Sequence, residues 1–262
     1  MPLRAIVFDL WGTLMTERRS VFPERARLRY EGVSPILRRH GIHATLEEFT
    51  DRHRASMAEL AALQEQGHDV TQEERARHLL ALFHPDAATR ATAEDVHAFI
   101  EAYGGPIVAT PPELLAGAIE AVTESRARGL RVGLISNTGV SGGRHLRPVL
   151  ETYGLLDQFD SLLFSDELRR SKPHPEVFGA ALDALGATPE EAVFVGDTPR
   201  YDVSPPRRYG WWVVQVGDRD DGDPPAHARV PGVGDLFPAL TTLGLLDERD
   251  HRGAPAAPMT EN

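Results

Sequence analysis

Cysteine is absent from the 262-residue sequence, and lysine occurs once. Without cysteine the chain can form no disulfide, bind no metal through thiolates and use no cysteine nucleophile. No apolar run approaches the roughly 20 residues that a membrane-spanning helix needs. The first residues, MPLRAIVFDL, hold an apolar segment too short for the core of a signal peptide and no small-residue cleavage site. We therefore expect a cytoplasmic protein that does not enter a membrane.

Positive charge is also scarce, with 28 basic against 39 acidic residues and a formal net charge of -11. On average such a chain repels a polyanion such as nucleic acid. We therefore expect a small-molecule substrate and no nucleic-acid partner. The oligomeric state leaves no signal in the sequence.

The single lysine, Lys172, stands among 27 arginines. A GC-rich genome that encodes nearly all basic residues as arginine would explain this bias without any function. The alternative is a site that requires a compact ammonium, which a planar guanidinium cannot replace in a confined space. The residues that surround Lys172 in the sequence favour this second explanation.

Five short apolar segments have the length and composition of parallel strands that are buried on both faces. They are Arg4–Phe8, Arg131–Ser136, Ser161–Ser165, Ala192–Gly196 and Trp211–Val216. One-sided apolar stripes predict helices at Pro112–Arg128 and Pro175–Leu185, with Gly186 closing the second helix. Strands that alternate with helices predict an α/β fold built on a doubly wound parallel sheet.

The first two strands are separated by over a hundred residues without a convincing strand. Residues 18–108 have helical periodicity instead, and we interpret them as an inserted helical cap. The predicted cap helices are Arg25–His40, Leu46–Gln66, Gln72–Phe83 and Ala93–Tyr103. An interaction bundle would have the same periodicity, but insertion directly after the first strand favours a cap. Residues 1–17 and 109–246 then form the core, and the polar residues 247–262 are predicted to be disordered.

Polar segments follow four of the five predicted strands. They are DLWGTL at 9–14, SNTG at 136–139, SKPHP at 171–175 and GDTPRYD at 196–202. Each alone has the composition of an ordinary turn. Ligands of doubly wound sheets bind beyond the carboxyl ends of the strands, however. Four such segments in order at one end of the sheet predict a single active site.

Together these segments resemble the four motifs of the haloacid dehalogenase (HAD) superfamily, in the subfamily whose helical cap follows the first motif. The resemblance spans roughly residues 4–240 and implies a core with strand order 3-2-1-4-5. It implies that Asp9 is the nucleophile, that Ser136 hydrogen-bonds a phosphoryl oxygen and that Lys172 is the lysine of the third motif. The residues assigned to substrate binding are Asn137, Gly12 and Thr13.

The resemblance also implies a Mg²⁺ cofactor. Its ligands would be the carboxylates of Asp9 and Asp197 and the backbone carbonyl of Trp11, with Asp202 in a supporting role. Hard oxygen ligands of this kind are what Mg²⁺ prefers, and the ion keeps several waters, so two carboxylates and a carbonyl suffice. Together with Lys172, the ion would screen an attacking carboxylate from an anionic phosphate.

The first motif departs from that of the family's phosphatases, which have a second aspartate where this chain has Trp11. In those enzymes this aspartate protonates the leaving oxygen and then activates water, and an indole can do neither. Loss of such a group typically costs about 10²–10⁴ in rate. The resemblance therefore implies an intact metal site without its usual general acid–base.

Three functions stay open after this departure. The first is a Mg²⁺-dependent phosphatase that hydrolyses a small phosphorylated metabolite through an aspartyl-phosphate at Asp9. Its leaving group would need little protonation, or another group would supply the proton. The cap histidines His40, His43 and His53 are candidates for that group. A position on the protein surface, without a catalytic role, is the simpler explanation for each.

The second function is a 2-haloacid dehalogenase, because a halide leaves without a proton and such relatives also have an aromatic residue at this position. They use no metal, and their fourth motif typically has Ser-Ser-Asn, which Gly196-Asp197-Thr198 does not match. Their halide-binding arginine has three candidates here: Arg25, Arg27 and Arg29. The third function is a ligand- or protein-binding module without catalysis. The sequence does not indicate the natural substrate, because the cap determines it and no known motif relates cap residues to a substrate.

Overall fold

The computed structural model of the protein describes residues 2–220 and 222–247. Its strands are β1 (Ala5–Phe8), β2 (Met15–Thr16), β3 (Glu113–Leu114), β4 (Arg131–Ser136), β5 (Ser161–Phe164), β6 (Ala192–Gly196), β7 (Trp212–Val216) and β8 (Ala228–Val230). Six of them form a parallel sheet in the order β5-β4-β1-β6-β7-β8. The predicted order 3-2-1-4-5 is confirmed, and β8 adds an edge strand that the sequence did not predict.

The chain has helices on both faces of this sheet, outside the segment between β2 and β3, and further helices within that segment. They are α1 (Phe22–Arg39), α2 (Leu46–Glu65), α3 (Gln72–Phe83), α4 (Pro85–Arg90), α5 (Ala93–Gly104), α6 (Pro106–Ala109), α7 (Ala118–Ala127), α8 (Gly143–Thr152), α9 (Ser165–Leu168), α10 (Pro175–Leu185), α11 (Ser204–Arg208) and α12 (Leu236–Thr242). Alternate residues of β1 enter different apolar clusters, Ile6 and Phe8 on one face and Ala5 and Val7 on the other. This burial on both faces explains why β1 is apolar throughout.

The helices between β2 and β3 pack around an apolar cluster of their own, which includes Phe49, Leu79 and Phe99. The four helices predicted for residues 18–108 are confirmed as α1, α2, α3 and α5. We keep the name cap for this segment, whose role stays a prediction. Capping boxes begin three of these helices, at Thr45, Thr71 and Thr92, so their first residues follow from the sequence. In the described part of the chain, no helix combines the length and apolar character needed to cross a membrane.

The predicted helix Pro112–Arg128 is wrong in its first half. Glu113–Leu114 is extended and pairs with Met15–Thr16, and the helix begins only at Ala118. Gly117, in the left-handed region at φ 82°, reverses the chain between the two elements. The apolar spacing could not reveal a two-residue ribbon whose partner lies almost a hundred residues away. The disorder predicted for residues 247–262 falls almost wholly on residues 248–262, outside the described residues.

A buried arginine joins the two chain segments that connect the core with the cap helices. Arg25 of α1 is 2% exposed, and its Nε donates to Thr110 Oγ1 at 2.8 Å. The same guanidinium donates to the Thr110 carbonyl and pairs with the carboxylate of Glu17. Glu17 lies on the outgoing segment and Thr110 on the returning one. Arg25 therefore fixes both where the cap leaves the core.

We predict that Arg25→Met lowers the free energy of unfolding by about 3 kcal/mol, because it leaves the Glu17 carboxylate and the Thr110 carbonyl without their buried partner. Denaturant unfolding followed by circular dichroism measures the change. Arg27→Met is the matched control, since Arg27 lies on the same helix and forms only an exposed pair with Glu31. Equal stability of the two variants would show that Arg25 does not anchor the cap.

Candidate active site

Asp9 lies directly after β1, at the carboxyl edge of the sheet, and is 5% exposed. Its backbone N–H donates to the Val195 carbonyl at 2.9 Å, which continues the β1–β6 ladder by one residue. Its carboxylate accepts from Thr13 Oγ1 at 3.1 Å on one oxygen and from Lys172 Nζ at 2.6 Å on the other. The side chain is therefore held in one orientation before any ligand arrives.

Lys172 is buried at 2% exposure, and its ammonium bridges two carboxylates. Nζ lies 2.6 Å from an oxygen of Asp9 and 2.6 Å from an oxygen of Asp202. The Lys172 backbone is fixed as well, since its N–H donates to Asn137 Oδ1 at 2.8 Å and its carbonyl accepts from Asn137 Nδ2 at 2.9 Å. The segments that follow β4 and α9 are thus joined by one amide side chain.

Three carboxylates converge beside this lysine. One oxygen from each of Asp9, Asp197 and Asp202 lies within 4.8 Å of the others. Burial raises the pKa of Asp9 to about 7, and the charges of Asp202 and Asp197 add to the effect against the opposing pull of Lys172. Burial and the charge of Asp202 raise the pKa of Asp197. Burial disfavours the charge on Lys172, but Asp202 and Asp9 outweigh it and raise its pKa.

Two glycines make this convergence possible. A Cβ on Gly12 would lie 2.5 Å from Asp197 Oδ2, and the residue has φ +81°. A Cβ on Gly196 would lie 2.3 Å from the Cβ of Asp202. A side chain at either position would push apart the loops that carry the acidic groups. The glycines of the first and fourth motifs are therefore explained by close approach.

The donor set suits a hard divalent cation. When ionised, the three carboxylates carry three negative charges, against the positive charges of Lys172 and of Arg219, whose Nη2 lies 3.1 Å from Asp197 Oδ2. Negative charge thus remains in a buried cluster of oxygen atoms, the surroundings that Mg²⁺ prefers. Both oxygens of Asp202 already accept hydrogen bonds, from Lys172 Nζ and from the Thr198 N–H at 2.9 Å. Asp202 therefore holds the lysine and the fourth-motif loop together.

Asp9, Lys172, Asp197 and Asp202 line a cavity of about 190 Å³. Its other lining residues are Trp11, Ala61, Gln64, Glu65, Asn137, Thr198 and Tyr201. Ala61, Gln64 and Glu65 belong to α2, so the cap forms one wall of the cavity. Trp11, which occupies the position where the family's phosphatases have a second aspartate, also lines the cavity. The structure therefore assembles the four motifs and a cap helix around one small space.

Two of the predicted site residues lie behind the lining. Ser136 is completely buried, and its Oγ lies 3.4 Å from the Asn137 carbonyl. Thr13 is also completely buried and supports Asp9 from behind. Asn137 lines the cavity, but its amide is bonded to the Lys172 backbone. In this arrangement Thr13 holds Asp9 in place and Asn137 holds Lys172 in place.

The loop between α2 and α3 is bonded to the core directly beside Lys172. The Ser171 N–H donates to the Gly67 carbonyl at 3.1 Å, and the Asp69 N–H donates to the Arg169 carbonyl at 3.3 Å. A buried ion pair between Asp69 and Arg75 supports this contact. Two side chains also join this part of the cap to the loop after β4. Gln64 Nε2 donates to the Thr138 carbonyl at 2.7 Å, and Arg75 donates to the Gly139 carbonyl.

The cap histidines do not line the cavity that holds Asp9. His40 lies 3.3 Å from Asp95 within the cap, and His43 is exposed. His53 lines a neighbouring cavity, and burial together with the charges of Arg29 and Arg54 lowers its pKa to about 4. An imidazole with this pKa is uncharged at neutral pH and is therefore not an effective general acid there.

The sequence analysis missed Gln64, Glu65, Tyr201 and Arg219. Gln64 and Glu65 lie at the end of an amphipathic helix, where no motif marks them. Tyr201 is an unassigned position inside GDTPRYD. Arg219 belongs to the Gly- and Pro-rich loop after β7 and is 58% exposed at the side chain, so composition indicates only a surface residue. No pattern in the sequence around Arg219 indicates that it lies beside Asp197 in the folded chain.

Comparison with known proteins supports the same family. A family model described as haloacid dehalogenase-like hydrolase matches residues 3–210. The human haloacid dehalogenase-like hydrolase domain-containing protein 3 is 34% identical over 50% of this chain and 53% of its own length. A phosphoserine phosphatase of Thermus thermophilus is 41% identical over 36% and 37%. A phosphoglycolate phosphatase of Rhodospirillum rubrum is 31% identical over 59% and 62%. The chain thus spans between about a third and two thirds of these relatives.

Solved structures share the fold over nearly the whole chain. A 2-haloacid dehalogenase from Pseudomonas syringae superposes with a TM-score of 0.63 at 18% identity, covering 92% of this chain and 99% of that one. A HAD phosphatase from Thermococcus onnurineus has a TM-score of 0.61 at 22% identity, covering 92% and 98%. At these identities the likeness establishes the fold alone. With the family match extending over most of the chain, the protein belongs to the haloacid dehalogenase-like hydrolases.

Proposed function

We propose that this protein is a Mg²⁺-dependent phosphatase that hydrolyses a small phosphorylated metabolite through an aspartyl-phosphate at Asp9. The observation that carries the proposal is the buried cluster of Asp9, Asp197 and Asp202 around the ammonium of Lys172. The relatives named as phosphoserine and phosphoglycolate phosphatases support this class of reaction. A cytoplasmic location is part of the same proposal.

The residues suit a two-step transfer. An Asp9 oxygen would form a bond to phosphorus as the bond to the leaving oxygen breaks, and water would then attack phosphorus and release phosphate and free Asp9. Thr13 and Lys172 hold the carboxylate in place for this attack. Asp9, Asp197 and the Trp11 carbonyl would hold Mg²⁺, which when bound neutralises charge on the phosphoryl oxygens.

Trp11 determines which leaving groups the site can expel. Because the indole cannot give a proton to the leaving oxygen, a weakly basic leaving group is favoured. Glu65 of the cap also lines the cavity, and it lies outside the cluster of three aspartates. Its carboxyl group is therefore our candidate for supplying a proton in place of the missing aspartate. Glu65 also contacts Arg200 at 3.3 Å, and both side chains are more than half exposed.

A 2-haloacid dehalogenase is the second candidate, and the aromatic residue at position 11 favours it. A halide leaves without a proton, so Trp11 would cost such an enzyme nothing. The acidic cluster supports the phosphatase instead, because an alkyl halide needs no cation to offset a charged phosphoryl group. Release of chloride from 2-chloropropionate without added metal, together with failure to hydrolyse phosphate esters, would replace the phosphatase with the dehalogenase.

We predict that EDTA abolishes hydrolysis of p-nitrophenyl phosphate and that added Mg²⁺ restores it. Asp197→Asn should lower kcat/KM on the order of 100-fold, because the amide removes a negative ligand from the proposed ion. Asp218→Asn is the control, since Asp218 is exposed and does not line the cavity. Activity that resists EDTA, or an Asp197→Asn variant as active as wild type, would contradict the metal proposal.

We predict that Lys172→Arg is impaired on the order of 100-fold in kcat/KM although the charge is kept. A planar fork cannot place one nitrogen 2.6 Å from both Asp9 and Asp202 in a buried site without displacing one of them. The reverse exchange Arg170→Lys, at a partly exposed position two residues away, is the control and should leave activity unchanged. If Lys172→Arg keeps most of its activity, codon usage explains the lone lysine.

We predict that wild type hydrolyses p-nitrophenyl phosphate much faster than glycerol 3-phosphate, and that Trp11→Asp narrows this gap. Phenolates leave with little protonation, whereas alkoxides need it, and the new carboxyl group would supply it. Thermal unfolding must first show that the variant is folded, because removing the indole opens space in the loop.

An unchanged aryl-to-alkyl ratio in a folded Trp11→Asp variant would mean that another group supplies the proton. Glu65→Gln then tests the cap carboxylate and should widen the ratio. If wild type turns over no phosphate ester and no haloacid, the binding module becomes the better description of the protein.

A further inference from the structure

A second cavity of about 580 Å³ adjoins the one that holds Asp9. The two share Trp11, Gln64 and Asn137 as lining residues, so they meet at the indole. A phosphoryl group at Asp9 would therefore have its alcohol portion directed past Trp11 into the larger space. The residues that line the larger cavity would therefore influence which alcohols the proposed phosphatase accepts.

One face of α1 forms a wall of the larger cavity. Phe22, Arg25, Ala26 and Arg29 line it, and their spacing of three and four residues places them on one side of the helix. Two arginines thus face a cavity in a chain whose net charge is -11. The remaining apolar wall includes Trp11, Ile107 and Val140, which suits a carbon skeleton.

The two arginines differ in their partners. Arg25 is neutralised by Glu17 and bonded to Thr110. Arg29 donates from Nε to the Tyr103 carbonyl at 3.1 Å, and in residues 2–220 and 222–247 its two terminal nitrogens have neither a hydrogen-bond acceptor nor a carboxylate partner. Arg29 is partly buried, and burial together with the charge of Arg25 lowers its pKa. An anion beside Arg29 would stabilise the guanidinium charge against burial and against the charge of Arg25.

His53 adds a polar group without charge on the same cavity wall. Its Nδ1 lies 2.6 Å from the Tyr103 hydroxyl, and its lowered pKa keeps the imidazole neutral at neutral pH. Glu17 is the acidic residue that lines this cavity, and Arg25 already pairs with it. The wall around Arg29 therefore carries one uncompensated positive charge, which a carboxylate or phosphate can bind through two parallel hydrogen bonds.

We infer that the substrate is a phosphate monoester whose alcohol carries a second anionic group, a carboxylate or another phosphate, and that Arg29 binds this group across Trp11 from Asp9. The inference rests on the proposed phosphatase for the position of the first phosphoryl group. The positive charge beside Arg29 recognises the second anion whichever of the two it is.

Matched substrate pairs test the inference. 3-Phosphoglycerate and glycerol 3-phosphate differ by a carboxylate, and fructose 1,6-bisphosphate and fructose 6-phosphate differ by a phosphate. We expect kcat/KM about 10- to 100-fold higher for the more anionic member of at least one pair, as a charge-assisted bidentate contact would give. The pair that shows the preference identifies the anion.

Arg29→Gln should reduce that preference at least tenfold, and Arg29→Lys should retain part of it. Arg27→Gln, on the same helix but exposed and paired with Glu31, should leave it unchanged. Thermal unfolding of each variant separates a lost contact from a lost fold. Equal preference in folded Arg29→Gln and wild type would overturn the inference.

Binding to an Asp9→Asn variant keeps the test independent of turnover. Calorimetry should give a lower Kd for the more anionic member of a pair, and adding Arg29→Gln should remove the difference. If wild type hydrolyses no ester but this difference is found, the proposed phosphatase fails and the anion site stands. If esters are hydrolysed and neither rate nor binding distinguishes the pairs, the anion site fails alone.

Discussion

The ammonium of Lys172, buried between Asp9 and Asp202, is the interaction on which the rest of the site depends. Without a cation at this point, two buried carboxylates would face each other at close range, and ionising both would be strongly unfavourable. The lysine lowers that penalty while a third carboxylate, Asp197, stays nearby. The sheet order, the two close-packed glycines and the Asn137 bridge all serve to bring these charges to one edge.

The residues of the site have different roles according to how deeply they are buried. Groups that are fully enclosed, such as Thr13 and Ser136, fix the geometry of the carboxylates and loops. The groups that reach the cavity come partly from the core and partly from α2 of the cap. Trp11 lies where the two cavities meet, so in the proposed phosphatase it would limit proton transfer on one side and border the space for the alcohol on the other.

Much of the fold could be predicted because the core strands are buried on both faces and the cap helices have a regular apolar periodicity, three of them also beginning with capping boxes. The motif residues were found for a similar reason, since the ends of parallel strands meet at one edge. Contacts set by packing alone could not be predicted. They include the pairing of Glu113–Leu114 with Met15–Thr16, the edge strand β8, the approach of Arg219 to Asp197 and the position of Glu65 above the cavity.

The main-chain bonds between residues 67–69 and 169–171 limit how such a cap can change in evolution. Many contacts between the cap and the core are made by side chains, such as Arg144 with Glu101 and Arg169 with Glu74, so these positions can change one residue at a time. The α2–α3 loop cannot vary in length, because its carbonyl and N–H groups pair with the residues that precede Lys172. An insertion of one residue there would displace the lysine with it. An exchange of caps between relatives would therefore have to carry this short segment unchanged.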